Sequence, residues 1–272
     1  MTVYGVIGVG AISAAIVRGL CRTDQADPPP TVLLSPRNAQ LAAELAEHFP
    51  TVRVAESNQQ VVDGASVLLL CLRPQDAPPV LSALTFRPGL PVVSVMAGFT
   101  VRALADLVAP VTDLARSIPL PAVELGEGVT PVFPSSPAAI TLFGQLGTVL
   151  EVPDEQTLEA LSASTATVAA MLKYMETTSA WLARKGVSAP LASRYVAAVF
   201  AGVLTPLQTA AAVDFRALSQ DHQTPGGINE QFLGVLEQAG LSRAVEGGLN
   251  QVLERLDPSQ NHGSADGNLP VS

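Results

Sequence analysis

The chain is predicted to be an α/β protein: a doubly wound, largely parallel sheet over residues 1–152, followed by an all-α domain over 153–256. Three observations predict this. A glycine turn, Gly8-Val9-Gly10-Ala11-Ile12-Ser13, directly follows the apolar run Val3-Tyr4-Gly5-Val6-Ile7. Short apolar runs then alternate with helical patterns as far as Val152, the signature of βαβ units. Beyond Val152 the strand signals stop.

In order along the chain, strands are predicted at Val3–Gly8, Thr31–Ser35, Val52–Ala55, Val67–Leu72, Pro91–Val95, Thr112–Ser117, Val129–Phe133 and Gly147–Val152. Helices are predicted between them at Ala11–Arg22, Ala39–His48, Asn58–Val62, Ala77–Ala83, Val101–Leu107 and Pro137–Leu146. The unbroken run Val67-Leu68-Leu69-Leu70 is what a strand covered on both faces needs. The second half reads as helices over Glu155–Lys185, Pro190–Val213, Asn229–Gln238 and Ser242–Leu256, with Pro206 expected to kink or interrupt the second. Residues 257–272, rich in Pro, Ser, Asn and Gly, are expected to be a disordered tail.

Composition narrows the function classes. Of 272 residues 48% are hydrophobic and 14% charged, and the net charge is −9 with no basic run, which argues against nucleic acid and anionic membranes as partners. Cys21 and Cys71 have no metal-ligand spacing, so a reduced, cytoplasmic protein without a metal is expected. No charged segment precedes the first apolar run, so no signal peptide is expected. The apolar runs are interrupted before a membrane span's length, and a soluble protein is expected.

The opening turn points to a dinucleotide, in a Rossmann-like domain. Ile7 ends the strand, Gly8 permits the tight turn, and Gly10 lets the backbone approach a pyrophosphate. The first turn of the next helix, Ala11 and Ile12, then directs free N–H groups and the positive dipole end at it. The third glycine of the usual pattern is Ser13, still small. The second strand ends in Ser35-Pro36-Arg37-Asn38 rather than in a carboxylate. A hydroxyl and a guanidinium suit a 2′-phosphate, so NADP is expected rather than NAD, the alternative being that Arg37 is an ordinary solvated loop residue.

Several spaced motifs resemble the pyrroline-5-carboxylate reductase family, the enzymes of the last step of proline synthesis, from Met1 to about Leu256. They are Cys71-Leu72-Arg73-Pro74-Gln75, Val93-Ser94-Val95-Met96-Ala97-Gly98, Arg116-Ser117-Ile118-Pro119 followed by Gly126-Glu127-Gly128, and Thr224-Pro225-Gly226-Gly227. The resemblance implies an N-terminal NADP(H) domain and a C-terminal helical dimerisation domain. It also implies a homodimer or larger homo-oligomer whose active site both subunits complete. By the same resemblance, Asn58 contacts the adenosine half of the cofactor. Cys71, Leu72, Arg73 and Pro74, with Met96, Ala97 and Gly98, line the ribose and nicotinamide.

The acceptor side departs from that pattern. Where the family has a Ser-Gly-Ser-Gly-Pro-Ala-Tyr turn, this chain has Ser162-Ala163-Ser164-Thr165-Ala166-Thr167-Val168. Thr165 and Thr167 best match the two serines, a one-residue shift being the alternative, and the glycines, proline and tyrosine are absent. After Pro-Gly-Gly, Ile228-Asn229 replaces a small residue and a threonine; Asn229 is either a carboxylate donor or a plain helix N-cap. His222, in the loop before that signature, is either a proton donor to the acceptor or an exposed loop histidine. Lys173 and Glu176 read as a solvated ion pair, and Trp181 and Tyr195 as helix-packing residues. The leading expectation is an NADPH-dependent reductase of a small cyclic imine carboxylate. The alternatives are a hydroxyacid-type NADP dehydrogenase, with Lys173 as its sole candidate lysine, and a catalytically silent NADP-binding protein.

Overall fold

The computed structural model describes residues 2–22, 29–207, 210 and 212–256. The predicted tail, 257–272, lies outside the described residues. The chain divides into two compact units, the second being Ala163–Val252.

The first unit is built on one eight-stranded sheet. In chain order its elements are β1 (Val3–Ile7), α1 (Ala11–Leu20), β2 (Thr31–Leu34), α2 (Ala39–His48), β3 (Val52–Val54), α3 (Asn58–Gly64), β4 (Val67–Leu70), α4 (Ala77–Leu81), β5 (Val92–Ser94), α5 (Val101–Leu107), β6 (Leu114–Ser117), β7 (Gly128–Phe133), α6 (Pro137–Gly144), β8 (Gly147–Glu151) and α7 (Glu155–Ser164). All eight predicted strands are present. Their spatial order, β3-β2-β1-β4-β5-β6-β7-β8, is the Rossmann order extended by two strands at one edge. Every neighbouring pair is parallel except β6 and β7, which pair antiparallel with Arg116 opposite Phe133 and Ser117 opposite Val132.

Alternation along the strands splits the buried residues into two cores, one on each face of the sheet. Tyr4, Val6, Leu69 and Val93 pack with Ile16, Leu20, Leu45 and Phe143 on the face covered by α1, α2 and α6. Ile7, Leu68, Leu70 and Val92 pack with Val61, Val62, Leu81 and Leu104 on the face covered by α3, α4 and α5. This two-sided burial is why β4 is apolar at every position.

The second unit is helical: α8 (Thr167–Arg184), α9 (Ala189–Leu204), α10 (Phe215–Asp221), α11 (Ile228–Gln238) and α12 (Leu241–Leu256), the last reaching just past the unit's boundary. Three expectations are corrected here. The single helix expected over Glu155–Lys185 is two, broken at Thr165–Ala166, where the local hydrophobic pattern carries no glycine or proline to mark a stop. The helix expected over Pro190–Val213 ends at Leu204 and passes into a 3-10 turn, Thr205–Leu207, around Pro206, whose missing N–H cannot continue the ladder. Helix α10, not predicted at all, begins at Asp214, whose carboxylate accepts from Arg216 N and Ala217 N, both at 3.0 Å.

The helices of this unit leave much of their apolar surface open. Among the described residues, α8, α10, α11 and α12 contain no buried residue, and α9 buries only Ala192 and Val196. Leu191, Tyr195, Val199 and Val203, each four residues apart on α9, are all exposed. Trp181 and Tyr195, expected to pack between helices, are 51% and 61% exposed, and Lys185 Nζ lies over the Trp181 ring at 5.8 Å. One helix is more apolar than the interrupted runs suggest: Ala189–Leu207 is 19 residues of mean hydropathy 1.3, which by length and composition alone is enough to cross a membrane.

Candidate functional site

The first turn of the sheet is held by named contacts. Gly8 has φ +96°, and a Cβ there would stand 2.5 Å from the Cys71 carbonyl oxygen, so only glycine fits. Ser35, buried at the end of β2, accepts from Gly8 N at 3.0 Å, and Asn38 Nδ2 donates to Val9 O at 2.9 Å. Ser13 Oγ accepts from Gly10 N at 2.7 Å and donates to Gly10 O at 3.0 Å. The serine in the third glycine's place therefore ties the turn to its own helix while remaining buried.

Gly10 differs from Gly8. A Cβ on it would meet no protein atom within 4 Å, so its smallness serves nothing in this chain's own packing. Beside it the N–H groups of Ala11 and Ile12 open helix α1 and have no carbonyl one turn back. A glycine that nothing here requires, next to unpaired amides at a helix start, fits a pyrophosphate closely approaching the backbone.

The other predicted cofactor residues lie at the carboxyl ends of β1, β2, β4 and β5 or at the start of α3. Ile7 and Met96 are buried, so their side chains belong to the core, and the Ile7 carbonyl is taken up by the sheet, accepting from Cys71 N at 2.8 Å. Ala97 is exposed, and Gly98 has φ +75°. Leu72 is partly exposed and Pro74 exposed. Asn58 opens α3, whose N-cap is Ser57. Cys71 is partly exposed as a residue, yet burial of its thiol pushes the pKa up to about 12, which keeps the sulfur neutral.

Ser35 and Arg37, expected to share one role, separate. The serine is buried against Gly8, whereas Arg37 is exposed and its Nη1 lies 3.4 Å from Asp76 Oδ2. Arg73 Nε reaches the same oxygen at 2.9 Å. The Arg73 hydrogen bond, with Arg37's charge behind it, holds the Asp76 carboxyl below the usual carboxylate range. Sequence reasoning missed Asp76, although its i,i+3 spacing from Arg73 is a legible signal.

A second missed cluster stands behind the β5 turn. Arg116, on β6 and almost fully buried, places Nη1 2.7 Å from Glu155 Oε1 and Nη2 2.6 Å from Glu159 Oε1. Glu155 Oε1 also accepts from Val101 N at 2.7 Å, holding the first amide of α5 just past Gly98. The two glutamates are one turn apart on α7, and nothing local in the sequence pairs them with an arginine nearly forty residues earlier.

On the acceptor side, the helical unit brings three of the four predicted residues to one cleft. Thr167, His222 and Asn229 line it together with Tyr174, Gln223 and Phe232, around a volume of about 560 Å³. Thr165 does not line it; it sits in the break between α7 and α8. Thr167 Oγ1 donates to Ser164 O at 2.7 Å, and Asn229 Nδ2 donates to His222 O at 2.9 Å. Asn229 is not the N-cap of α11, which is Gly227. His222 closes α10, and its Nδ1 lies 2.8 Å from Leu218 O. A carbonyl partner requires the proton on Nδ1, which leaves Nε2 to exchange one. Lys173 and Glu176 pair at 2.8 Å with both side chains exposed, as expected, and neither lines the cleft.

Comparisons with known proteins find a likeness in each half of the chain. The family described as NADP oxidoreductase, coenzyme F420-dependent, matches residues 3–98, and pyrroline-5-carboxylate reductase dimerisation matches 155–257. The chain is 28% identical over 254 residues to a pyrroline-5-carboxylate reductase of Synechocystis, covering 89% of this chain and 92% of that one. It superposes on the crystal structures of 1-pyrroline-5-carboxylate reductase from Streptococcus pyogenes with TM-score 0.80 at 22% identity, covering 95% and 98% of the two chains. It also superposes on the Plasmodium falciparum pyrroline carboxylate reductase with NADP bound, with TM-score 0.75 at 16% identity, covering 97% and 98%. The helical half is thus a dimerisation domain, and the sheet half is that of an NADP oxidoreductase. The open apolar stripe on α9 belongs to the half that associates in this family. The chain belongs to the pyrroline-5-carboxylate reductase family.

Proposed function

We propose that the protein is an NADPH-dependent reductase of a small cyclic imine carboxylate, 1-pyrroline-5-carboxylate or a close analogue. The observation that carries this reading is the convergence of Thr167, His222 and Asn229, from three separate segments, on one cleft of the dimerisation domain. In this reading NADPH lies over the carboxyl ends of β1, β2, β4 and β5. Gly8, Gly10, Ala11 and Ile12 hold the pyrophosphate, and Ser35 acts indirectly by fixing Gly8. Arg37 takes the 2′-phosphate and Asn58 the adenosine side. The segments Cys71–Pro74 and Met96–Gly98 line the ribose and nicotinamide. When bound, the nicotinamide supplies the hydride, and the imine nitrogen must gain a proton as its carbon gains that hydride.

The chain's own residues then position the acceptor and move the proton. Asn229 keeps one amide N–H after bonding the His222 carbonyl, and with the free N–H groups that open α11 it offers donors to a carboxylate. Thr165, one residue beyond the end of α7, does not line the cleft and is left out of the acceptor's contacts. Thr167 has its proton committed to Ser164 O, so it presents lone pairs until it rotates. His222 is the group that can deliver a proton: with Nδ1–H held by Leu218 O, the doubly protonated ring gives up its Nε2 proton and is left as the neutral Nδ1–H tautomer. The associated, cytoplasmic form is part of the proposal, supported by the two free cysteines and the apolar stripe on α9.

A second reading, a catalytically silent NADP-binding protein, is favoured by the committed hydroxyl of Thr167 and by the missing family glycines. A hydroxyacid dehydrogenase is disfavoured, because Lys173 is bound to Glu176 away from the cleft. NADPH oxidation against a panel of cyclic imine carboxylates, keto acids and open-chain imines separates the three. Turnover of five-membered imine carboxylates is expected. Binding of NADPH without turnover of any acceptor overturns the reductase reading in favour of the silent one.

A further inference from the structure

Arg37 and Arg73 come from different strand ends, after β2 and after β4, yet both reach Asp76 Oδ2, at 3.4 and 2.9 Å. Two like charges held this close are unusual on an open surface, and both guanidiniums are well exposed, 61% and 70%. Asp76, only 20% exposed, is the counter-ion that lets them stand together. It neutralises one of the two charges, so the cluster keeps one net positive charge.

Nitrogens that share a single carboxylate oxygen at these distances are close enough for one phosphate group to bridge them through two of its oxygens. A phosphomonoester dianion suits such a site better than any neutral group, since each guanidinium presents a planar fork to tetrahedral oxygens. The site lies beside the second strand's end, where the structure holds Ser35 away from the surface and leaves the 2′-phosphate to cations alone.

We propose that Arg73 is a second ligand of the cofactor's 2′-phosphate, with Asp76 a positioning residue that gathers Arg37 and Arg73 into one two-armed receptor. This moves Arg73 from the ribose and nicotinamide to the adenosine end of the cofactor. The inference rests on the NADPH reading above and is tested without turnover. Calorimetry measures binding of 2′,5′-ADP and of 5′-AMP to the full chain and to the Arg37→Ala and Arg73→Ala variants.

The wild-type chain is expected to bind 2′,5′-ADP at least tenfold more tightly than 5′-AMP. Arg73→Ala is expected to weaken 2′,5′-ADP about tenfold while leaving 5′-AMP within about twofold, the loss of one charge-assisted contact. Because 5′-AMP binding reports an intact fold, a misfolded variant would lose both ligands and be recognised, and Arg73→Lys, which keeps the charge but not the fork, then provides the reading with an intermediate loss. An Arg73→Ala variant that weakens both ligands equally while Arg73→Lys restores neither, or one that weakens neither while Arg37→Ala weakens 2′,5′-ADP, overturns the role of Arg73 and leaves the NADPH reading standing. A wild-type chain that does not distinguish the two ligands overturns both.

Discussion

Replacing Arg116 by Met tests the cluster that ties β6 to the start of α7. The guanidinium is 3% exposed and bonds Glu155 at 2.7 Å and Glu159 at 2.6 Å, and those carboxylates are themselves 28% and 13% exposed. Methionine keeps much of the volume, so cavity formation is a minor part of the effect. What changes is that two carboxylates, one turn apart on α7, face each other without a cation. Breaking a buried ion pair by removing one partner costs about 3–5 kcal/mol, and solvent reaching Glu155 places this case toward the lower end of that range. For a unit of this size, that corresponds to roughly 6–20 °C in melting temperature. Thermal and urea unfolding followed by circular dichroism give the value, read on the transition of the sheet unit. Adding Glu155→Gln and Glu159→Gln to the Met variant should restore more than half of the loss, because no uncompensated charge then remains. Binding of 2′,5′-ADP by the folded Met variant should stay within about twofold, since its proposed contacts lie at the ends of β1, β2 and β4. A melting temperature within 2 °C of wild type, on the scale of about 1 kcal/mol or less, would refute the reasoning. So would the absence of rescue by the two glutamines.

Two further outcomes follow from the cysteine and from the helical unit. The Cys71 thiol, raised to about 12 in the folded chain, contributes stability that is intact below the ordinary thiol value of 9.0 and is lost as pH rises toward 12. The slope is at most about 1.4 kcal/mol per pH unit. The urea midpoint of Cys71→Ala should therefore fall less steeply above pH 9 than that of wild type, although Tyr4 and Cys21, raised by burial in the same direction, keep some slope in both; parallel curves would contradict this. On α9, Val199→Asp places a charge in the stripe of Leu191, Tyr195, Val199 and Val203. If that stripe is covered by a second copy, losing one buried valine and desolvating a carboxylate weakens association by at least about 3 kcal/mol. Sedimentation velocity should then show a shift toward monomer at micromolar concentration, and an unchanged oligomer would show that the stripe is not the contact.

Why the sheet was legible and the helical unit less so has a physical origin. Each strand of the sheet is short, apolar and bounded by turn residues, and its burial is decided within the chain, so Val67-Leu68-Leu69-Leu70 states its own environment. The glycine turn is equally local: Gly8 needs its positive φ because of Cys71, a neighbour imposed by the pairing of β1 with β4. The break at Thr165–Ala166 is different. Ala166 stays in the right-handed helical region, so nothing in the residue types announces the stop. The start of α10 was readable, since Asp214 before Phe215-Arg216-Ala217-Leu218 is an N-cap signal. Trp181 and Tyr195 were misplaced for another reason: both are exposed, and a pattern of apolar residues does not say whether the surface that covers them lies in this chain or in another.

The same distinction separates the charged residues of the two ends of the cofactor path. Asp76 is three residues from Arg73, and the link could be inferred from spacing; the third member, Arg37, is brought there only by the adjacency of β2, β1 and β4. Arg116 is joined to Glu155 and Glu159 only because α7 returns along the end of β6. Both clusters set one acidic residue type against arginine, but they behave oppositely toward solvent. The Asp76 cluster is open, so its ion pairs contribute little to stability and leave the guanidiniums available to exchange partners with an incoming anion. The Arg116 cluster is closed, and its charges are committed to holding α5 and the turn before it. In the proposed reading, a reductase that must bind a dianion reversibly and place a nicotinamide reproducibly needs the first arrangement at the adenosine end and the second behind the reactive end. The sheet's topology supplies one open and one closed cluster to serve those two needs.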